Sequence, residues 1–243
     1  MWDWTRGRST GSSRVALVYR GPAAGEECSE AVAALLRSST WDFDVQFVGP
    51  RGTRELSAAS LRTAALYAQP GGGSLKKAYR KMKGDAEDIR SYVATGGRYL
   101  GFCLGGYLAG ATPGYSLLPG DTARYIDSPG AMVRHARDTV VPVLWRGQPR
   151  HLYFQDGPRF ILDEGGVGAQ TQVLATYSNG AIAALVAPYG RGRIAVVGPH
   201  PEATADWYED SDRANPDGIC SDLALDLLDA LMADEMSPRE NFR

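Results

Sequence analysis

The chain has 243 residues, a formal charge of −2 and a pI near 6.0. That length can bury a substantial core and sits near the upper end for one domain. The charge balance supplies no basic field, which excludes nucleic acid and anionic membrane as partners and leaves a small-molecule or peptide-like ligand; oligomeric state is not fixed by it.

Residues 1–13 are Ser/Gly/Arg-rich, lack the apolar region of a signal peptide, and are predicted as a disordered tail. Residues 14–233 are predicted as a single α/β domain and 234–243 as a second tail. Val15 to Tyr19 is a β-prone run ending at Gly21-Pro22, and Glu26 to Leu36 follows with helical spacing. Phe43 to Val48 reads as a second strand. A third is expected within Leu61 to Tyr67, before Pro70-Gly71-Gly72-Gly73. Lys76 to Val93 reads as helical and Arg98 to Phe102 as a strand. Strands alternating with helices predict a parallel sheet covered on both faces.

From about Thr139 the texture changes. Val140 to Trp145, Leu152 to Phe154, Val173 to Tyr177, Ala181 to Ala187 and Arg193 to Val197 are short β-prone runs, read as antiparallel strands added to the sheet. Ser221 to Met232, with Leu223, Leu225, Leu227, Leu228 and Leu231, closes the chain as an amphipathic helix. No segment approaches the ~20 apolar residues of a membrane span.

Gly101-Phe102-Cys103-Leu104-Gly105-Gly106 follows a strand and opens onto a helix. This is the local build of a nucleophile elbow, whose flanking glycines admit neighbouring chain and whose apex thiol meets the start of a helix, where thiolate is favoured. The alternative is a small core cysteine. Cys28, Cys103 and Cys220 are far apart, with no C-x-x-C pair and three histidines in all, so neither a disulfide framework nor a zinc site is indicated. No cofactor is expected, and a reducing, cytoplasmic compartment fits. A Cys28–Cys220 bridge would need the first and last helices to meet; two buried thiols is the simpler reading.

After the strand ending at Val197 comes Gly198-Pro199-His200-Pro201-Glu202. Pro201 biases His200 toward extended backbone, and residues two apart then point the same way, so Glu202 can orient the His200 ring. Nucleophile, base and orienting carboxylate are the three parts of acyl-transfer chemistry. His135 lies in a polar segment and His151 begins a strand; neither has a carboxylate placed as Glu202 is. The loop Gly71-Gly72-Gly73, with the N–H of Leu104, could hold an oxyanion, and no G-K-[ST] follows it to suggest a Walker-type loop.

A P-G-G loop, a G-x-C-x-G-G elbow and a G-P-H-P-E segment, in that order, resemble the class I glutamine amidotransferase-like superfamily. Val18-Tyr19-Arg20-Gly21-Pro22, Tyr153-Phe154-Gln155-Asp156-Gly157 and Tyr189-Gly190-Arg191-Gly192-Arg193 bring the chain closest to the biotin–protein ligase N-terminal-like domain family. The resemblance implies a flavodoxin-like three-layer sandwich. It places Cys103, His200 and Glu202 at the triad positions, Gly72, Gly73 and Leu104 at the oxyanion hole, and Tyr107, Tyr153, Gln155 and Asp156 in the pocket. Glutamine-using members usually carry G-x-C-x-G-x-Q, and the last position here is Tyr107. Gly190-Arg191-Gly192-Arg193 is similar to a biotin-site motif of the ligase catalytic domain, but it directly precedes a strand and reads as a turn.

The expected function is a cysteine-dependent amide or acyl hydrolase or acyltransferase. The alternative is a non-catalytic ligand-binding or regulatory module of the same fold, since the Tyr107 ring could crowd the pocket. A redox or intracellular-protease-like protein has less support, because Arg90 and Arg98 do not supply the carboxylate that branch usually carries.

Overall fold

Continuous apolar runs such as Ala16-Leu17-Val18-Tyr19 and Ala195-Val196-Val197 suit strands buried on both faces. Residues 14–165 and 170–233 are described by a computed structural model; the tails predicted at 1–13 and 234–243 lie outside the described residues. Strands β1 (Arg14–Tyr19), β2 (Phe43–Val48), β3 (Leu66–Gln69) and β4 (Arg98–Phe102) are separated by helices α1 (Glu26–Ser38), α2 (Ala58–Leu61), α3 (Leu75–Met82) and α4 (Ala86–Ala94). All pairings among these four strands are parallel.

Helix α5 (Leu104–Leu108) leads into β5 (Gly120–Arg124), β6 (Thr139–Trp145), β7 (Gln148–Phe154), β8 (Pro158–Leu162), β9 (Gln172–Tyr177), β10 (Ile182–Tyr189) and β11 (Gly192–Val197). Helices α6 (Ala205–Asp210) and α7 (Ser221–Met232) follow. The sheet runs β2-β1-β3-β4-β11-β10-β9-β6-β7, with β5 and β8 paired beside β10. Its first five positions reproduce the 2-1-3-4-5 order of flavodoxin-like sheets, with β11 as the fifth strand. Beyond β11 every pairing is antiparallel, as the change of texture near Thr139 predicts. Gly190-Arg191 forms the turn of the β10–β11 hairpin, where Tyr189 faces Gly192.

Helices cover both faces of the sheet. Val32 and Leu36 of α1 share one core with Leu227 and Leu228 of α7 and with Val18, Leu100 and Val197. Met82, Ile89 and Leu108 on α3, α4 and α5 form the other, with Tyr67, Tyr99 and Val196. No helix among the described residues is long and apolar enough to cross a membrane.

Two expectations are corrected. The third strand does not lie within 61–67: it starts at Leu66, because Leu61 ends α2, which Ser57 and Ser60 close with a reciprocal cap. The helical stretch 76–93 is two helices, broken at Gly84-Asp85.

Register aligns the working edge. β4 and β11 run parallel with Phe102 beside Val197, so the segments that follow both strands leave the sheet side by side. Ligands in such sheets bind at this carboxyl edge.

Candidate active site

Cys103 follows β4 with φ of 47°, in the left-handed region, which costs a non-glycine residue on the order of 1–3 kcal/mol. Close packing holds it there. The Cys103 N–H donates to Val197 O at 2.9 Å, and Tyr99 Oη donates to Gly105 O at 2.7 Å. A Cβ on Gly101 would meet Gly105 O at 2.6 Å, and one on Gly105 would strike Gln69 O. The flanking glycines therefore do what the elbow pattern requires of them.

His200 reaches the same edge from β11. Its N–H donates to Tyr153 O at 2.8 Å, and its Nδ1 lies 2.8 Å from Glu202 Oε1. Both side chains are buried, and Glu202 Oε2 has no partner among the described residues. Burial alone would lower the His200 pKa. The Glu202 carboxylate and the Cys103 sulfur outweigh it and hold the pKa well above its usual value. With Nδ1 engaged by Glu202, Nε2 is the ring nitrogen left free to exchange a proton.

Gly71 lies against both Cys103 and His200. A Cβ there would lie 2.6 Å from His200 Cε1 and 3.4 Å from Cys103 Cβ. Its carbonyl accepts from the Gly25 N–H at 2.9 Å, which ties the glycine loop to the start of α1. Gly72 and Gly73 follow with φ of 101° and 84°. The N–H groups of Gly72, Gly73 and Leu104 have no partner among the described residues, and all three residues line one cavity with Cys103.

That cavity has a volume of about 740 Å3. Tyr107 forms a wall of it: the ring is buried, and its hydroxyl donates to Asp156 O at 3.1 Å. Arg124 grips the Asp156 carboxylate through Nε at 3.0 Å and Nη2 at 2.8 Å. Gln155 lines the cavity, and its carbonyl oxygen lies 3.7 Å from the Cys103 sulfur. Tyr153 does not line it. Its ring belongs to a second, smaller cavity with His200, so the four expected pocket residues divide between two spaces.

His135 is exposed. The expectation that His151 lacks a carboxylate is corrected: its Nδ1 lies 3.2 Å from Asp217 Oδ2, a partner 66 residues away that no local spacing announces. Cys220 donates to His151 O at 3.2 Å and Cys28 lies near Glu202; all three cysteines are free and buried, so the Cys28–Cys220 bridge is absent. Sequence reasoning did not foresee Cys28 and Trp207 beside His200. No signal in their own segments points there.

A doubly wound sheet with a strained cysteine after β4 and a His-Pro-Glu segment after β11 defines the class: this is the class I glutamine amidotransferase-like fold. Residues 14–118 match the family model described as biotin–protein ligase, N terminal. A solved glutamine amidotransferase superposes with a TM-score of 0.55 at 16% identity, over 82% of this chain and 98% of that one. A candidate GMP synthase protein from Thermoplasma acidophilum gives 0.56 at 10% identity, over 90% and 94%. A ThuA-like protein from Bacteroides uniformis gives 0.58 at 12% identity, over 94% and 95%. No curated protein matches the chain. Identities this low establish the fold and leave activity to be argued from the site.

Proposed function

We propose that the protein is a cysteine-dependent amide or acyl hydrolase or acyltransferase in which Cys103 is the nucleophile, His200 the acid and base, and Glu202 the group that orients His200. The observation that carries this reading is the placement of His200 Cε1 and Cys103 Cβ against the same point at Gly71, with Glu202 on Nδ1 of the ring.

Cys103 sulfur attacks the carbonyl carbon, and the oxygen takes the charge in front of the free N–H groups of Gly72, Gly73 and Leu104. The His200 imidazolium protonates the leaving group as its bond to the carbonyl carbon breaks, which leaves a thioester. Water or an amine then bonds to that carbon while His200 takes its proton. The C–S bond breaks, the sulfur keeps the electron pair, and the starting ion pair returns. Tyr107 in place of glutamine argues for an acyl donor other than glutamine.

The test is the pH dependence of alkylation by iodoacetamide, with Cys28 and Cys220 as internal controls. Cys103 is expected to react well below pH 8 and to lose that advantage in His200→Ala. Reactivity matching the two control cysteines in both proteins would overturn the reading and favour a binding module.

A further inference from the structure

The cavity over Cys103 carries one charge that nothing answers. Besides Cys103 and Tyr107, the ionisable side chains lining it are Lys76, Arg124 and Asp156. Arg124 and Asp156 cancel each other as an ion pair, with Nη2 2.8 Å from Oδ2, and Asp127 takes a further nitrogen of Arg124 at 3.2 Å. Lys76, just beyond Gly73 in the chain, is exposed and has no ion-pair partner among the described residues. Cys103, the free N–H groups of the glycine loop and this unpaired ammonium therefore face one space.

Folding alone gives no reason for a cation at this position. Lys76 and Lys77 stand in the first turn of α3, which has no acid, so both oppose the helix dipole, whereas Arg80 and Lys81 in the last turn complement it. Ala78 and Met82 supply the buried face of the helix. A second cationic segment, far away in the sequence, borders the same space. Ala136 lines the cavity, and Arg134 and Arg137 on either side of it are exposed and have no ion-pair partner among the described residues. A chain with a formal charge of −2 thus gathers unpaired cations beside its candidate nucleophile. A local field of this sign concentrates anions at the cavity.

We propose that the acyl donor carries a carboxylate beyond its reacting carbonyl, and that Lys76 is the residue that selects it. This rests on the acyl-transfer reading of Cys103. The reacting carbonyl oxygen takes the N–H groups of Gly72, Gly73 and Leu104, so a charge on the donor has to be met elsewhere, and Lys76 is the unpaired charge that the cavity wall offers. Leu75 and Leu104 line the same space and suit an aliphatic stretch between the two ends of the donor. One uncompensated positive charge in the wall matches a monoanion, which favours a carboxylate over a doubly charged phosphate. Lys76 makes and breaks no bond. Its role is specificity, read in the ratio between charged and neutral donors.

Protection of Cys103 from iodoacetamide in the full chain tests this, with two amides that differ by one terminal carboxylate, adipamate and pentanamide. Adipamate is expected to protect at a concentration at least about tenfold lower, with the difference shrinking as salt is raised. Lys76→Gln should cut that preference several-fold. Lys81→Gln, on the same helix but lining a different cavity, should leave it in place. Equal protection by the two amides, or a preference that survives Lys76→Gln, would overturn the proposal, and stronger protection by inorganic phosphate than by acetate would overturn the choice of carboxylate. Calorimetric titration of Cys103→Ala with the same two amides separates the two readings. An adipamate preference retained there supports the anion subsite whatever the thiol does, whereas a reactive Cys103 with no such preference removes this proposal and leaves the nucleophile standing.

Discussion

Gly71 lies so close to His200 that a single added methyl group would meet the imidazole Cε1 at 2.6 Å. The contact is with the side of the ring, between Nδ1 and Nε2, so any relief tilts Nε2 away from the sulfur or Nδ1 away from Glu202. Gly71→Ala is therefore expected to slow Cys103 alkylation at neutral pH by about 10²-fold, the scale of a ~1 Å misplacement at a reacting pair. The backbone at Gly71 has no left-handed torsion, so alanine is locally tolerated and circular dichroism should report an intact fold. An unchanged alkylation rate in a folded Gly71→Ala protein would contradict the Cys103–His200 pairing.

Glu202→Gln keeps the shape of the side chain and removes the charge behind the imidazolium. The bond from Nδ1 is expected to survive in a neutral form, while the ring loses its strongest reason to carry a second proton. The alkylation profile of Cys103 should move to higher pH and its rate near pH 7 fall by about 10² or more. Imidazole titration by NMR supplies the independent check: a His200 pKa lowered by the substitution agrees, and an unaltered one contradicts.

Stability should follow the same charge. The His200 pKa is raised in the folded chain above its ordinary 6.5, so the folded state holds the proton more tightly than the unfolded state. The stabilisation is fully present below about pH 6.5 and is lost as pH rises through the folded value. The difference in denaturant midpoint between wild type and His200→Gln should therefore be largest at pH 5–6 and shrink on the alkaline side. A difference that grows with pH would mean that the folded ring is held neutral.

The grouping of Cys103, His200 and Glu202 is readable in the sequence because its information is local. His200 and Glu202 are two residues apart, and the glycines that make Cys103 possible flank it in the sequence, each excluded from carrying a Cβ by a specific carbonyl. The inner strands are readable for the same reason, being unbroken apolar runs. β5, Gly-Asp-Thr-Ala-Arg, offers no such run and exists through its pairing with β8. α6, Ala-Asp-Trp-Tyr-Glu-Asp, carries too much acid on too few residues to announce a helix. Tyr153 groups with Tyr107, Gln155 and Asp156 only through closeness in the chain or through the resemblance. Asp156, at a φ of 51°, turns the chain at this point and puts Tyr153 and Asp156 in different cavities. The carboxylates around His200 come from residues 27, 138 and 210, a combination no spacing rule can collect.

Tyr107 decides between a plugged site and a walled one. Its ring is buried and its hydroxyl reaches across to the Asp156 carbonyl, yet the space between it and Cys103 stays open within the larger cavity. The residue thus acts as a strut between α5 and the turn at Asp156. Tyr107→Phe removes one hydrogen bond, worth about 1 kcal/mol, or roughly 2–4 °C in melting temperature for a chain of this size. Arg124 still holds that turn, so Cys103 alkylation should stay within about twofold of wild type. The same strut occupies the position where glutamine-using relatives carry a glutamine, so free glutamine should yield no ammonia with the wild-type protein. Ammonia release abolished by Cys103→Ala would show that the strut accommodates glutamine after all, and a collapse of thiol reactivity in Tyr107→Phe would give the hydroxyl a part in the chemistry that its bond to Asp156 does not suggest.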